Sequence, residues 1–218
     1  MTQKIGFLGA GRMASAMISR LLEKGYQVRV WNRSADKVAP LAAKGAIACV
    51  TPADAATGVD AVISFMADDT AAETVWLSNS GAVSTMEPGT VAIECSTLSH
   101  GFVLELSAKI NAIGCPYIDA PVTAIPAQVA VGETMFLIGA DNAVLDRVRP
   151  IMDAVANRII HFGPIGSGTV YKLMNNLLGA VHIAAAAELV AVAQKAGLDG
   201  KLVAEAFTNG AVASRVGV

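Results

Sequence analysis

Charge and aromatic side chains are both scarce in this 218-residue chain: 16% of residues are charged and 5% are aromatic. It has no basic run, and its formal net charge is −2. Binding nucleic acid needs clustered Lys and Arg to meet phosphates, so nucleic acid is not expected as a ligand. Cysteine is also sparse. Cys49, Cys95 and Cys115 lie far apart without a C-x-x-C pair, and read as reduced thiols of a cytoplasmic protein. His100, His161 and His182 lack ligand spacing, so no metal site is expected. The N-terminal run IGFLGAG is short, broken by glycine and followed by Arg12, which argues against a secretory leader. The alanine-rich stretch 177–193 holds His182 and Glu188 and reads as too short and too interrupted to span a membrane.

Apolar residues, in contrast, make up 54% of the chain, ample for a core. The first ~160 residues alternate strand-like and helix-like segments, the pattern of a parallel sheet with crossover helices. KIGFL (4–8), QVRVW (27–31), AIACV (46–50), DAVISFM (60–66) and TVAIE (90–94) read as strands, followed by YIDA, ETMFLIGA and RIIHF. Helices are expected over 12–24, from a Ser34 cap to about Gly45, after Asp54, after Asp69, over 99–113 and over 141–156. After GPIGSG the pattern changes: 168–196 reads as one long apolar helix closed by Gly197, with another starting near Asp199. The expected organisation is therefore an α/β Rossmann-type, doubly wound, mainly parallel domain over 1–163. The start of an all-α domain follows over 164–218. A helix apolar on nearly every face must be buried, so a homodimer or higher oligomer is expected through 168–196.

GFLGAGRMASAM directly follows the first strand and opens the first helix. Gly9-x-Gly11-x-x-Ala14 has the spacing of a dinucleotide fingerprint. The first glycine permits the tight turn, the second permits close approach of a pyrophosphate, and the alanine permits close packing of helix on sheet. Ala10, Arg12 and Met13 are expected beside the cofactor with Gly9 and Gly11, with Arg12 over the phosphates. Met66 and Ala67, at the end of DAVISFMA, are assigned to the cofactor as well. The second strand ends in Asn32-Arg33-Ser34. An NAD-selective site would carry an acid there. Asn32 removes that repulsion, Arg33 can pair with a 2′-phosphate and Ser34 can donate to it, so NADP is expected.

GSGTVYKLMNNLL (166–178) puts Lys172 and Asn176 four residues apart on one helical face, with Asn175 nearly beside them. Hydride transfer to a carbonyl creates an alkoxide that needs a proton at once. An ammonium on a rigid helix can stabilise the charge and deliver that proton. His161, His182, Glu188 and Asp119 read as structural, with Asp119 positioning backbone in the DAP turn.

Four ordered blocks resemble the β-hydroxyacid dehydrogenase family, which is related to 6-phosphogluconate dehydrogenase: GFLGAGRMASAM, ECSTLSH, DAPVTAIPAQVAVGETMFLIGA and GPIGSGTVYKLMNNLL. The resemblance implies a nicotinamide-dependent oxidoreductase acting on a small hydroxy acid or semialdehyde. It places Thr97 near the nicotinamide and Ser96, Thr123 and Ala124 at the substrate. Lys172 would be the catalytic proton donor or acceptor, and Asn176 its partner. Three departures stand out. Thr123-Ala124-Ile125 replaces the family's Ser-Gly-Gly, whose glycines let amides approach a carboxylate. TAIPAQ is closer to imine reductases, which usually carry Asp or Tyr where Lys172 stands. Glu94 replaces the usual Asp. The third is the end of the chain at Val218, where relatives continue through further helices that line the active site and form most of the dimer interface. The alternatives are an imine reductase-like enzyme and a catalytically idle NADP-binding module.

Overall fold

KIGFL forms β1 (Lys4–Leu8) and GRMASAM opens α1 (Arg12–Glu23) in the computed structural model, in which residues 3–210 are described. The chain continues through β2 (Gln27–Trp31), α2 (Ala39–Ala42), β3 (Ile47–Ala48), α3 (Pro52–Ala56), β4 (Ala61–Ser64), α4 (Asp69–Leu77) and β5 (Val91–Glu94). Then come α5 (His100–Ala112), β6 (Tyr117–Asp119), β7 (Val122–Thr123), α6 (Pro126–Val131), β8 (Thr134–Gly139), α7 (Asn142–Asp153) and β9 (Ala156–Gly163). Two helices follow, α8 (Ser167–Lys195) and α9 (Gly200–Asn209).

One sheet runs β3-β2-β1-β4-β5-β6-β8-β7, with β9 pairing β8. The strands from β3 to β6 are parallel, and β6 and β7 both pair antiparallel with β8. Alternation along each strand sends side chains to two cores. Ile5, Phe7, Val30 and Ile63 pack with Met17 and Leu21 of α1 and with Leu145 and Val148 of α7. Leu8, Val62, Ala92 and Tyr117 pack on the other face with Trp76 of α4 and Leu106 and Ile110 of α5. The mainly parallel, helix-covered sheet expected from the sequence is present.

Several local expectations differ. Ser34 makes no side-chain cap, and the expected helix is a 3-10 turn over Ala35–Lys37 followed by the single-turn α2, whose start contains Pro40. Helix α3 begins before Asp54 rather than after it. Thr51 caps it, its hydroxyl accepting from Asp54 N at 3.0 Å while Asp54 Oδ2 accepts from Thr51 N at 2.9 Å. AIACV contributes only the two-residue β3.

The described residues divide into two compact units, one up to Lys172 and one from Leu173. Helix α8 starts in the first and has 29 residues. It is long and apolar enough to cross a membrane by length and composition. The stretch 177–193 is the middle of this helix, whose span matches the 168–196 expected from the sequence. Its side chains Met174, Leu177, Ile183 and Val192 are more than half exposed. The helix closes at Gly197, φ +73°, where Leu198 N donates to Ala193 O at 3.0 Å.

Two glycines of α8 make opposite demands. A Cβ on Gly168 would lie 2.2 Å from the Leu137 carbonyl oxygen, whereas one on Gly179 meets nothing within 4 Å. Gly168→Ala is expected to cost about 1–3 kcal/mol through overpacking. Gly179→Ala is expected to be neutral or to stabilise by up to ~1 kcal/mol through helix propensity. Urea denaturation of the two variants checks this, and equal effects would contradict the packing described.

Candidate functional site

Strands β1 and β4 are neighbours, and the strand order reverses at β1, so the loops after these two strands flank a crevice at the carboxyl edge of the sheet. The two loops touch. Gly9 has φ +105°, and a Cβ on it would lie 2.7 Å from the Phe65 carbonyl oxygen and 2.9 Å from Met66 Cε. Both backbone conformation and space require glycine here. Gly11 is different: a Cβ there would meet nothing within 4 Å, so the space before it is open. It is the N-cap of α1 and gives no side-chain cap, which leaves the first N–H groups of the helix facing that space. Ala14, 1% exposed, sits in the core beneath.

Asn32 ties this loop to the end of β2. Its Oδ1 accepts from Ala10 N at 2.9 Å and its Nδ2 donates to Ser34 O at 2.9 Å. Gly9, Gly11, Asn32, Arg33, Met66 and Ala67 together line a cavity of about 470 Å³. Ala10, Arg12, Met13, Ser34 and Thr97 are not among its lining residues. A dinucleotide fits these features: an uncapped helix start, a cradle free of Cβ, and cationic side chains at one end. Lys37, Trp31 and the α4 residues Thr70 and Thr74 line the same cavity and were not picked from the sequence. Lys37 was legible in principle, because it falls four residues after Arg33; the helix expected from Ser34 obscured it.

At the end of β5, Ser96 is buried and its hydroxyl is committed internally, donating to Glu94 and accepting from Met66 N at 2.6 Å. Thr97 is half-buried beside it. Thr123 and Ala124 are half-buried at the end of β7, where Thr123 pairs with Met135. The next amide is spent: Ile125 N donates to Gln128 Oε1 at 2.9 Å, and the Ile125 side chain is 61% exposed.

Asp119 does more than shape the DAP turn. It is 1% exposed, and its two oxygens accept from Gly166 N at 2.7 Å and from Thr169 N at 2.8 Å, at the start of α8. Burial pushes its carboxyl above the ordinary value, and these two amides oppose that shift. Gly139 and Gly168 provide the room, since a Cβ on Gly139 would collide with the Asp119 carboxyl. Lys172 follows three residues after Thr169. It is half-buried, and burial pushes its ammonium below the usual lysine value. Asn175 is half-buried and Asn176 exposed, both in the second unit. His161 is structural, with Nε2 2.9 Å from the carbonyl oxygens of Ala140 and Gly163. Among the described residues, no group of three or more His, Cys, Asp or Glu is arranged to hold a metal.

Residues 4–163 match the family described as the NAD binding domain of 6-phosphogluconate dehydrogenase, and residues 166–217 match that described as NAD-binding of NADP-dependent 3-hydroxyisobutyrate dehydrogenase. The chain is 35% identical over 203 residues to the NAD-dependent L-serine dehydrogenase of Pseudomonas aeruginosa, covering 93% of this chain and 68% of that protein. The structure of Mycobacterium tuberculosis 3-hydroxyisobutyrate dehydrogenase with L-serine superposes with a TM-score of 0.91 at 28% identity, over 99% of this chain and 73% of that one. An imine reductase from Pseudomonas sp. shares the fold, with a TM-score of 0.77 at 21% identity, over 94% of this chain and 71% of that one. Among the curated relatives compared, the chain spans 59–73% of their lengths. The second match takes in all of α8, so this long apolar helix is an element of a dehydrogenase domain and needs no membrane to explain it. From β1 through the described part of α9, the chain belongs to the β-hydroxyacid dehydrogenase family of NAD(P)-binding oxidoreductases.

Proposed function

We propose that the protein is an NADP(H)-dependent oxidoreductase that interconverts a small hydroxy acid and its semialdehyde or related carbonyl compound, with Lys172 moving the proton. The observation that carries this reading is the half-buried Lys172 one turn beyond a helix start pinned to the carboxyl end of β6. The parallel strands β1, β4, β5 and β6 all end on that same edge, which gathers the loops of Gly9–Gly11, Met66 and Thr97 there.

Bound in the cavity at Gly9 and Gly11, the nicotinamide would supply or accept the hydride. The chain's own residues do the rest. The α1 amides from Gly11 onward hold the pyrophosphate through hydrogen bonds and the helix dipole. Lys172 Nζ stabilises the negative oxygen formed on carbonyl reduction and gives it a proton; in oxidation the same nitrogen receives it. Its lowered pKa suits that exchange. Thr97 and Thr123, in the same unit as Lys172, border the substrate; Asn176, one helical turn after Lys172, is the residue that the family resemblance makes its partner.

Arg33 and Lys37 line the cavity at the end of β2, and the residue there is Asn32 rather than an acid. This favours a 2′-phosphate and supports NADP over NAD. The half-exposed apolar surface of α8 supports a homodimer or higher oligomer formed through that helix. The reduced thiols support a cytoplasmic location. An imine reductase-like activity is a second reading, favoured by the Ile125 amide being spent on Gln128 and so unable to receive a substrate carboxylate.

Lys172→Ala is expected to lower turnover by ~10²–10⁴, with dinucleotide affinity nearly unchanged. A loss within a few-fold would reduce Lys172 to a helix-start residue. Because the folded pKa of Lys172 is depressed, carbonyl reduction should fall as pH rises through a value below 10.5, while oxidation rises over the same interval. A pH profile for each direction checks the sign.

Arg33→Ala removes a charge-assisted contact worth roughly 1.5–3 kcal/mol. Fluorescence titration should show ~10- to 100-fold weaker NADPH binding and nearly unchanged NADH binding. Equal losses would show that Arg33 does not read the 2′-phosphate.

A further inference from the structure

Glu94 is 1% exposed and has no place in the proton transfer just described. It ends β5, and its carboxyl receives three donors. Trp76 Nε1 donates to Oε2 at 2.7 Å, Ser96 N donates to Oε1 at 2.9 Å, and the Ser96 hydroxyl donates to the same Oε1. Since that hydroxyl gives its proton to Glu94, its oxygen is left to accept, and it accepts from the Met66 backbone N–H at 2.6 Å. Met66 lies in the loop between β4 and α4, and Trp76 lies in α4. Those two elements form one wall of the 470 Å³ cavity, through Phe65, Met66 and Ala67 from the loop and Thr70, Thr74 and Val75 from the helix. One buried carboxyl therefore reaches the wall by two separate arms.

We propose that Glu94 is a positioning residue for the dinucleotide, holding the β4–α4 loop through Ser96 and α4 through Trp76 so that the cavity wall is set before the cofactor binds. The proposal rests on the dinucleotide reading of this cavity. A side chain needed only for packing would be apolar, because burying a carboxyl carries a desolvation penalty that often exceeds what pairing returns. Burial does push Glu94 above the ordinary carboxyl value, against the hydrogen bonds that favour its charge. Side-chain length matters too. The glutamate side chain is long enough for one oxygen to meet the indole of α4 while the other keeps Ser96. Fixing the wall in advance removes ordering costs that binding would otherwise meet.

The test compares wild type, Ser96→Ala, Glu94→Gln and the double variant, by dinucleotide fluorescence titration and by backbone hydrogen exchange of the free protein. Ser96→Ala cuts only the loop arm. It should speed exchange at residues 65–68, leave β1 unchanged, and raise the dinucleotide Kd by about ten-fold. Glu94→Gln should extend the faster exchange through 69–77, because its amide has one acceptor oxygen for two arms, and adding Ser96→Ala to it should cost less than the sum of the two single losses, because both change the same buried network. Unchanged affinity in Ser96→Ala, losses that add in the double variant, or faster exchange spread equally over β1 would overturn the proposal. Should Glu94→Gln fail to fold, Ser96→Ala alone decides, since it removes a single oxygen. Absent binding of both NADPH and NADH to the wild type would overturn the functional reading and this proposal with it. Tight wild-type binding with an unaffected Ser96→Ala overturns the proposal alone.

Discussion

Asp119 accepts hydrogen bonds from the N–H groups of Gly166 and Thr169, and the position of Lys172 depends on that pair of bonds. They join the carboxyl end of an inner sheet strand to the first turn of a 29-residue helix. A carboxylate in that place meets two free amides and the positive end of the helix dipole, which offset the loss of water around it. The arrangement needs backbone to come unusually close, and Gly139 and Gly168 allow it. One acid and two glycines thereby settle where the ammonium of Lys172 can sit. Its partial burial then lowers its hold on a proton.

The cofactor side uses polar side chains in a similar way, as internal struts. Asn32 links the glycine loop to the end of β2, and Ser96 links the β4–α4 loop to Glu94. Backbone N–H groups at the start of α1 are left for phosphates. An anion held by main-chain donors is held only as well as that loop is fixed, so the struts belong to binding even where they touch no ligand.

Period-2 runs and the glycine fingerprint made the sheet and crevice legible, because strand burial and a positive φ impose residue types that can be read one at a time. Gly9 and Ala14 are of this kind. The cap signal at Ser34 does not lead to a long helix because Pro40 follows it, and Asp54 is not a helix start but the last residue of a capping box begun by Thr51. The roles of Asp119 and Glu94 were beyond sequence reasoning. Their partners lie 47 and 50 residues away for Asp119 and 18 away for Trp76, and no local pattern encodes such pairs. Lys172 was conspicuous because an ammonium in an apolar helix is costly without a purpose. The span of α8 was legible almost to the residue, 168–196 against Ser167–Lys195, because glycines bracket an unbroken apolar run.

The central claim is hydride transfer by this fold, and isotope transfer tests it most directly. The protein is incubated with NADPH deuterated at C4 of the nicotinamide and a panel of small semialdehydes, keto acids and cyclic imines, and the products are read by mass spectrometry. The account predicts deuterium bound to the former carbonyl carbon of a hydroxy acid product, lost when Lys172 is replaced by Ala. Dinucleotide binding without label transfer to any member of the panel would contradict it.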